Sequence, residues 1–285
     1  MYYLLISAAT VLFGLQFFFQ QRYEKTEGAG VPATMIFSHL TTAICAGIMF
    51  CLNGFRLSFS LPAMGVAALS GLNNVLYIYS AGKAMERVDL TTFSLFAMLG
   101  GMTLPFLGGI LFWGEALSAV KIGCFLLIAF ALWLGTGKRE RRSGGFGYYA
   151  AVFVFNGMSG VLSKLHQTCA EPISGEGYML LTAMSATVIS GVLLLFFRLR
   201  RQQVALKSPA RALPVTAAYA LFNGIGNLIL VLALVHIDAS VQYPFVTGGT
   251  IIVSALIDLL AGHRPTRRKW LAVAVAFAGA LILVF

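Results

Sequence analysis

Apolar residues run along this chain in long blocks, and polar residues gather in the short gaps between them. Ten blocks fall at 2–21, 32–52, 61–82, 89–112, 119–137, 147–166, 176–197, 212–235, 240–261 and 268–285. A bilayer core of about 30 Å is crossed by about 20 apolar residues in a helix. A membrane barrel would alternate polar and apolar positions, whereas these runs are apolar all round. The pattern therefore predicts an all-α membrane protein of ten transmembrane helices, with no soluble domain and no long linker. The first block starts at Met1-Tyr2-Tyr3 with no basic region before it and no small-residue cleavage site. It is expected to stay as a span rather than be removed as a signal peptide.

The blocks repeat. The stretch from Phe93 to Leu134 has an echo 148 residues later: Gly100-Gly101 recurs as Gly248-Gly249, Gly114 as Gly262, Ser118 as Thr266 and Lys121 as Lys269. The chain thus divides into two five-span halves, 1–142 and 143–285. With an odd number of spans per half, the second half enters the membrane from the opposite side. The halves are then inverted repeats, a plan shared by alternating-access transporters.

Ten short-looped helices, with the turn Phe-Trp-Gly-Glu-Ala-Leu-Ser-Ala-Val-Lys-Ile-Gly (112–123) between the fourth and fifth, resemble the drug/metabolite transporter superfamily, EamA-like branch. The resemblance covers the full chain. It implies a central cavity lined mainly by helices one, three, four, six, eight and nine, with five and ten at the periphery. His263 stands where the family usually shows Glu.

Composition agrees with lipid as solvent. Hydrophobic residues make up 59% and charged residues 11%, against roughly 25% charged in soluble domains, and the mean hydropathy is +0.85. The net charge of +10 does not point to nucleic acid, because the basic residues sit in short loops. Odd-numbered loops hold 17 of the 20 Lys and Arg; Arg56, Lys121 and Lys164 lie on the even side. Cytoplasmic loops carry the Lys/Arg excess. The odd loops are therefore expected in the cytoplasm of a cell inner (plasma) membrane, with both termini outside; many members of the resembled family are expected to keep both termini inside. Cys45, Cys51, Cys124 and Cys169 show no metal-ligand spacing and do not suggest a disulfide framework.

Polar side chains are costly in hydrocarbon, so their helix faces normally point at protein or a water-filled cavity. The first span has Gln16 and Gln20 one turn apart. The third has Asn73, Asn74 and Tyr77; the sixth Asn156, Ser159 and Ser163; the eighth Asn223 and Asn227; the ninth opens with Gln242-Tyr243-Pro244; and the fourth adds Thr91, Thr92 and Ser94. Each can line a solute path or bond a neighbouring helix. His39 on the second span reads as structural. Gly100-Gly101 with Pro105, and Gly248-Gly249 with Pro244, mark places where helices approach closely or break.

The predicted first span holds no acid. Candidates for a gate or for coupling are Asp258 in the ninth span and Lys83 with Glu86, Arg87 and Asp89 where the third span meets the fourth. Glu115 is expected to steady the positive start of helix five. Arg22 and Lys164 stand at matching span ends, where each can snorkel or attract an anionic group. Asp238 and Asp258 lie about 30 Å apart along a helix, so they form no catalytic dyad, and no enzyme motif or phosphate-cradling loop is present. No cofactor or metal is called for. The expected function is secondary-active transport, in the export direction, of small neutral or zwitterionic organic solutes such as amino acids, with a proton or an exchange solute as partner. A multidrug or organic-cation exporter is the alternative, ahead of a membrane sensor or assembly subunit. Nothing in the sequence assigns an oligomeric state.

Overall fold

The computed structural model describes residues 2–28, 30–85, 90–135, 146–201, 204–260 and 266–282, and no strand occurs among them. The described residues form α1 (Tyr2–Glu27), α2 (Val31–Leu52), α3 (Leu61–Met85), α4 (Leu90–Trp113), α5 (Ala119–Gly135), α6 (Phe146–Thr168), α7 (Gly175–Leu199), α8 (Pro209–Ala233), α9 (Ala239–Leu260) and α10 (Arg267–Ile282). Each predicted span overlaps one helix. The largest difference is at α1, expected to end at 21 but running to Glu27. Hydrophobicity stops at Phe19, but Gln20 to Glu27 contain no helix breaker. The helix closes only at Gly28, which takes φ +98° and donates its N–H to the Glu24 carbonyl at 2.9 Å. A left-handed glycine is a common helix stop.

Among the described residues seven helices, α1 to α4 and α7 to α9, are long and apolar enough to cross a membrane. The chain is a multi-pass membrane protein. α5 and α10 are apolar but shorter, and α5 is about 25 Å long at 1.5 Å per residue. In α6 the polar run Asn156, Ser159, Ser163, Lys164, His166 and Gln167 dilutes the hydropathy.

The outer faces are apolar. On α7, Met184, Val188, Val192, Leu195 and Leu199 recur at three- and four-residue spacing and are 41–74% exposed. On α5 the same stripe is Ile122, Leu126, Phe130 and Trp133. Water would penalise such continuous apolar stripes; lipid does not. Inside, α1 packs along α8 and α9, α6 along α3 and α4, α2 along α7, and α5 along α10, while α4 meets α9.

Because lipid tails are as apolar as leucine, helices gain by close approach of small residues. At the α4–α6 crossing a Cβ on Gly100 would fall into the Phe153 backbone, and one on Gly157 would lie 2.7 Å from Leu104 Cβ. At the α1–α9 crossing Gly14 faces Val253 and Gly249 faces Thr10. Alanine is normally favoured over glycine in a helix by about 1 kcal/mol. We therefore expect Gly123→Ala, where nothing lies within 4 Å, to be neutral or stabilising, and Gly100→Ala to cost about 1–3 kcal/mol through overpacking. Thermal unfolding of the two purified variants checks this; a Gly100→Ala protein as stable as wild type would contradict the crossing.

Candidate functional site

Gln16, Gln20 and Glu24 share one face of α1, and Gln16 meets α8 there. Gln16 is buried. Its amide donates to the Tyr219 hydroxyl at 3.2 Å, and its carbonyl accepts from Asn223 Nδ2 at 3.0 Å. Gln20 donates to Glu24 Oε1 at 2.9 Å. Glu24 is half-buried and lies within electrostatic reach of the Tyr77 and Tyr219 hydroxyls. Asn227 donates back to the Asn223 carbonyl at 2.8 Å. The structure thus brings Gln16, Gln20, Tyr77, Asn223 and Asn227 into one neighbourhood.

A second polar group joins α3, α6, α7 and α9. Asn73 donates to the Phe155 carbonyl at 2.8 Å and to Ser159 Oγ at 3.1 Å. Further along the same helices the Ser70 hydroxyl pairs with that of Tyr178 at 2.7 Å, and Tyr178 stacks on His166 with centroids 4.1 Å apart. Ser163 stands beside the Tyr178 and Tyr243 hydroxyls. Tyr243 itself packs on Gly160, where a Cβ would lie 2.6 Å from its ring.

Ser159 is exposed although it sits mid-helix. The apolar stripe of α6 is Val154 and Leu165, also exposed. At 100° per residue Ser159 points roughly 120–140° away from that stripe. Its exposed hydroxyl therefore looks into the protein rather than outward.

Other expected site residues have structural partners. Asn156 donates to the Ala97 carbonyl at 2.6 Å, closing the α4–α6 crossing. Gln242 is fully buried and donates to the Leu230 carbonyl at 2.9 Å. His39 bonds the Thr187 carbonyl and Ser190 hydroxyl of α7 at 3.2 and 3.1 Å. Asn74 has a buried carbonyl oxygen without a partner among the described residues. Glu86, Arg87 and Asp89 lie outside the described residues, as do His263 and Arg264; the side chain of Asp258 is likewise not described, nor are those of Thr91, Thr92 and Ser94. Lys83 is half-buried and engaged. Among the described residues no three of His, Cys, Asp or Glu converge as metal ligands would.

Charges close both ends of the helix pack. Glu115 does not serve α5, whose start is capped by Ser118 Oγ at 3.2 Å from Lys121 N. The chain turns at Gly114, φ +64°, and Glu115 instead accepts from Ala239 N and Ser240 N, both at 2.8 Å, at the start of α9. Its carboxylate also lies 3.7 Å from Lys164 Nζ, with both side chains largely buried. Lys164 is thereby tied to protein groups rather than left free at the headgroups. Lys121 pairs with Asp238 at 2.8 Å. At the other end Glu27, 4% exposed, accepts from Lys207 N and Ser208 N at 2.5 and 2.8 Å, at the start of α8.

The fold has solved counterparts. One, described only as "Crystal structure of protein", is similar with a TM-score of 0.77 at 18% identity, over 97% of this chain and 96% of that one. At that identity the likeness concerns the fold alone. No family model matches the sequence and no curated protein matches it.

Sequence reasoning missed Glu24, Glu27, Tyr219, Ser70 and Tyr178. Glu24 was findable, because Gln16, Gln20 and Glu24 are a single i, i+4, i+8 stripe once the helix is allowed to outrun its apolar block. Tyr219 stands one turn before Asn223 on α8. Removing Glu115 leaves Lys164 buried without its counter-ion and two amides of α9 unpaired. We expect Glu115→Ala to cost about 3 kcal/mol or more, and Glu115→Ala with Lys164→Met to recover part of it. Unfolding midpoints in detergent measure both; a double variant no more stable than the single would contradict the buried pairing.

Proposed function

We propose that this chain is a secondary-active transporter working by alternating access, and that it exports small neutral or zwitterionic organic solutes, amino acids among them. In this reading ten spans form two inverted halves, 1–142 and 143–285, in the manner of the EamA-like drug/metabolite transporters. The observation that carries it is that each half contributes an equivalent polar group to the interface with the other. Gln16 of α1 bonded to Asn223 of α8 has its counterpart in Ser159 of α6 bonded to Asn73 of α3.

Further pairs follow the same exchange. Phe37 packs obliquely on Tyr23 and edge-on to Tyr219, with centroids 4.4 and 4.6 Å apart; His166, Tyr178 and Ser70 hold the matching positions on α6, α7 and α3. Glu27 meets the start of α8, and the Glu171 carbonyl meets Ser60 at the start of α3 at 2.5 Å. The α1–α9 and α6–α4 crossings are both glycine-based. The contacts at the helix ends favour ten full crossings, α5 and α6 included. At one end Tyr2 stacks on His236 at 4.0 Å, Ser174 bonds Asn53 at 3.1 Å and Lys121 holds Asp238.

Amides, hydroxyls and phenols with few unpaired charges suit a solute that hydrogen-bonds and carries little net charge. No nucleotide loop is present in the sequence, so a solute or ion gradient supplies the energy. The test is flux: purified protein in liposomes loaded with a mixture of amino acids and other small metabolites is expected to release one or a few of them down an imposed gradient. Replacing Asn227 and Asn74 by Leu should reduce that release while expression holds. Ligand binding without movement of any solute would end the transport reading. Orientation has its own check: a reporter that fluoresces only in the cytoplasm, fused after Phe285, should stay dark, and a bright fusion would overturn the charge-based topology.

A further inference from the structure

α7 ends in three arginines, Arg198, Arg200 and Arg201, and all three are exposed. Lys207 and Arg211 follow across the turn into α8 and are exposed as well. Among the described residues no carboxylate lies within ion-pair distance of the three arginines. Glu27, the acid that reaches this turn, spends both oxygens on the amides of Lys207 and Ser208.

The helix below them faces lipid. Val188, Val192, Leu195 and Leu199 form a stripe that is 58–74% exposed and runs up to the arginines. α7 has 25 residues and is about 37 Å long at 1.5 Å per residue, more than the hydrocarbon core of about 30 Å. Its charged end therefore stands among the headgroups. At 100° per residue, Arg198 and Phe196 lie on opposite sides of the stripe, each about 80° from its centre. The Arg200 guanidinium rests over the Phe196 ring, 5.2 Å from the centroid, which holds it on that flank. Positive groups thus border both sides of the place where the apolar stripe meets the headgroup layer. Arg201 adds a further sign. It takes φ +57° and donates its N–H to the Arg198 carbonyl at 3.0 Å. Side chains other than glycine seldom adopt that left-handed conformation, and glycine would close the helix there without strain. The chain keeps an arginine instead, and such strain persists mostly where a side chain has a task.

We propose that the end of α7 binds an anionic phospholipid, with its acyl chains along the exposed stripe and its phosphodiester held by Arg198, Arg200 and Arg201. Guanidinium groups present a planar fork of donors that fits phosphate oxygens, and basic residues next to a membrane span attract anionic headgroups. A zwitterionic phospholipid brings an ammonium group along with its phosphate, and the arginines repel it. Inorganic phosphate lacks the chains that the stripe receives. The site stands whatever solute the protein carries and whichever way it is oriented in the membrane.

The test titrates the full chain, in a neutral detergent, with phosphatidylglycerol or with phosphatidylcholine of the same acyl chains. Native mass spectrometry reads the Kd of the first lipid bound. Phosphatidylglycerol is expected to bind roughly tenfold more tightly or better. Arg201→Gly relieves the backbone, so its unfolding midpoint should equal or exceed that of wild type while phosphatidylglycerol binding weakens about fivefold. Arg198→Gln combined with Arg200→Gln should weaken it about 25-fold. Arg56→Gln removes one charge from the turn bonded to the opposite end of α7 and should leave the affinity unchanged. Equal binding of the two lipids would overturn the site. So would an equal loss in Arg56→Gln and Arg201→Gly, which would assign the preference to the net charge of the whole chain. Displacement of phosphatidylglycerol by inorganic phosphate at the same concentration would also overturn it, by making the ligand a free anion rather than a lipid.

Discussion

A helix that starts inside a membrane protein exposes backbone amides that lipid cannot satisfy. This chain meets that constraint at two helix starts with carboxylates borrowed from distant sequence. Glu27, at the end of α1, holds the amides of Lys207 and Ser208 that lead into α8, and Glu115, in the turn after α4, holds the first amides of α9. Each bond set pairs a negative group with the positive end of a helix dipole. The consequence is positional. α8 is tied to α1 and α9 to α4, and Lys164 adds α6 to the second junction. The polar faces of α1 and α8 can then meet in register, as can those of α6 and α3.

Between these anchored ends, glycine decides how near the helices come. Gly100 and Gly157 let α4 and α6 touch backbone to backbone, and Gly14 and Gly249 let α1 and α9 seat the side chains of Val253 and Thr10 against backbone. Close contact brings amides within bonding distance, as Asn156 with Ala97 and Asn73 with Phe155 illustrate. Individual interhelical hydrogen bonds of this kind average about 0.6 kcal/mol. Stability therefore comes from many close contacts rather than from a few strong bonds. Ser159 is exposed on an inward face of α6 and accepts from Asn73 there.

Much of the fold was legible in the pattern of apolar blocks, because the bilayer sets a length that seven of the described helices meet. Each block overlaps one helix. Pairings within the site were partly legible. Gln16 and Asn223 were both recognised as polar positions, but nothing in sequence spacing joins residues 207 apart. Glu24 was overlooked for a physical reason: hydropathy reports where lipid contact ends, whereas helix continuation depends on backbone propensity and on the stop at Gly28. Glu115 was assigned to the nearest helix start, yet the turn at Gly114 carries it to another. Tyr178 lay on a helix that was not among those expected to line the cavity, and its packing against Ser70 and His166 joins it to the polar group.

The central claim is that a water-accessible polar path runs between the halves. Thiol labelling tests it most directly, in a chain whose four free cysteines, Cys45, Cys51, Cys124 and Cys169, have been replaced. Ser159→Cys should react with a membrane-impermeant maleimide, as should an exposed loop control at Arg56→Cys, while Val154→Cys on the lipid stripe of the same helix should not. An inert Ser159→Cys beside a reactive Arg56→Cys would contradict the account.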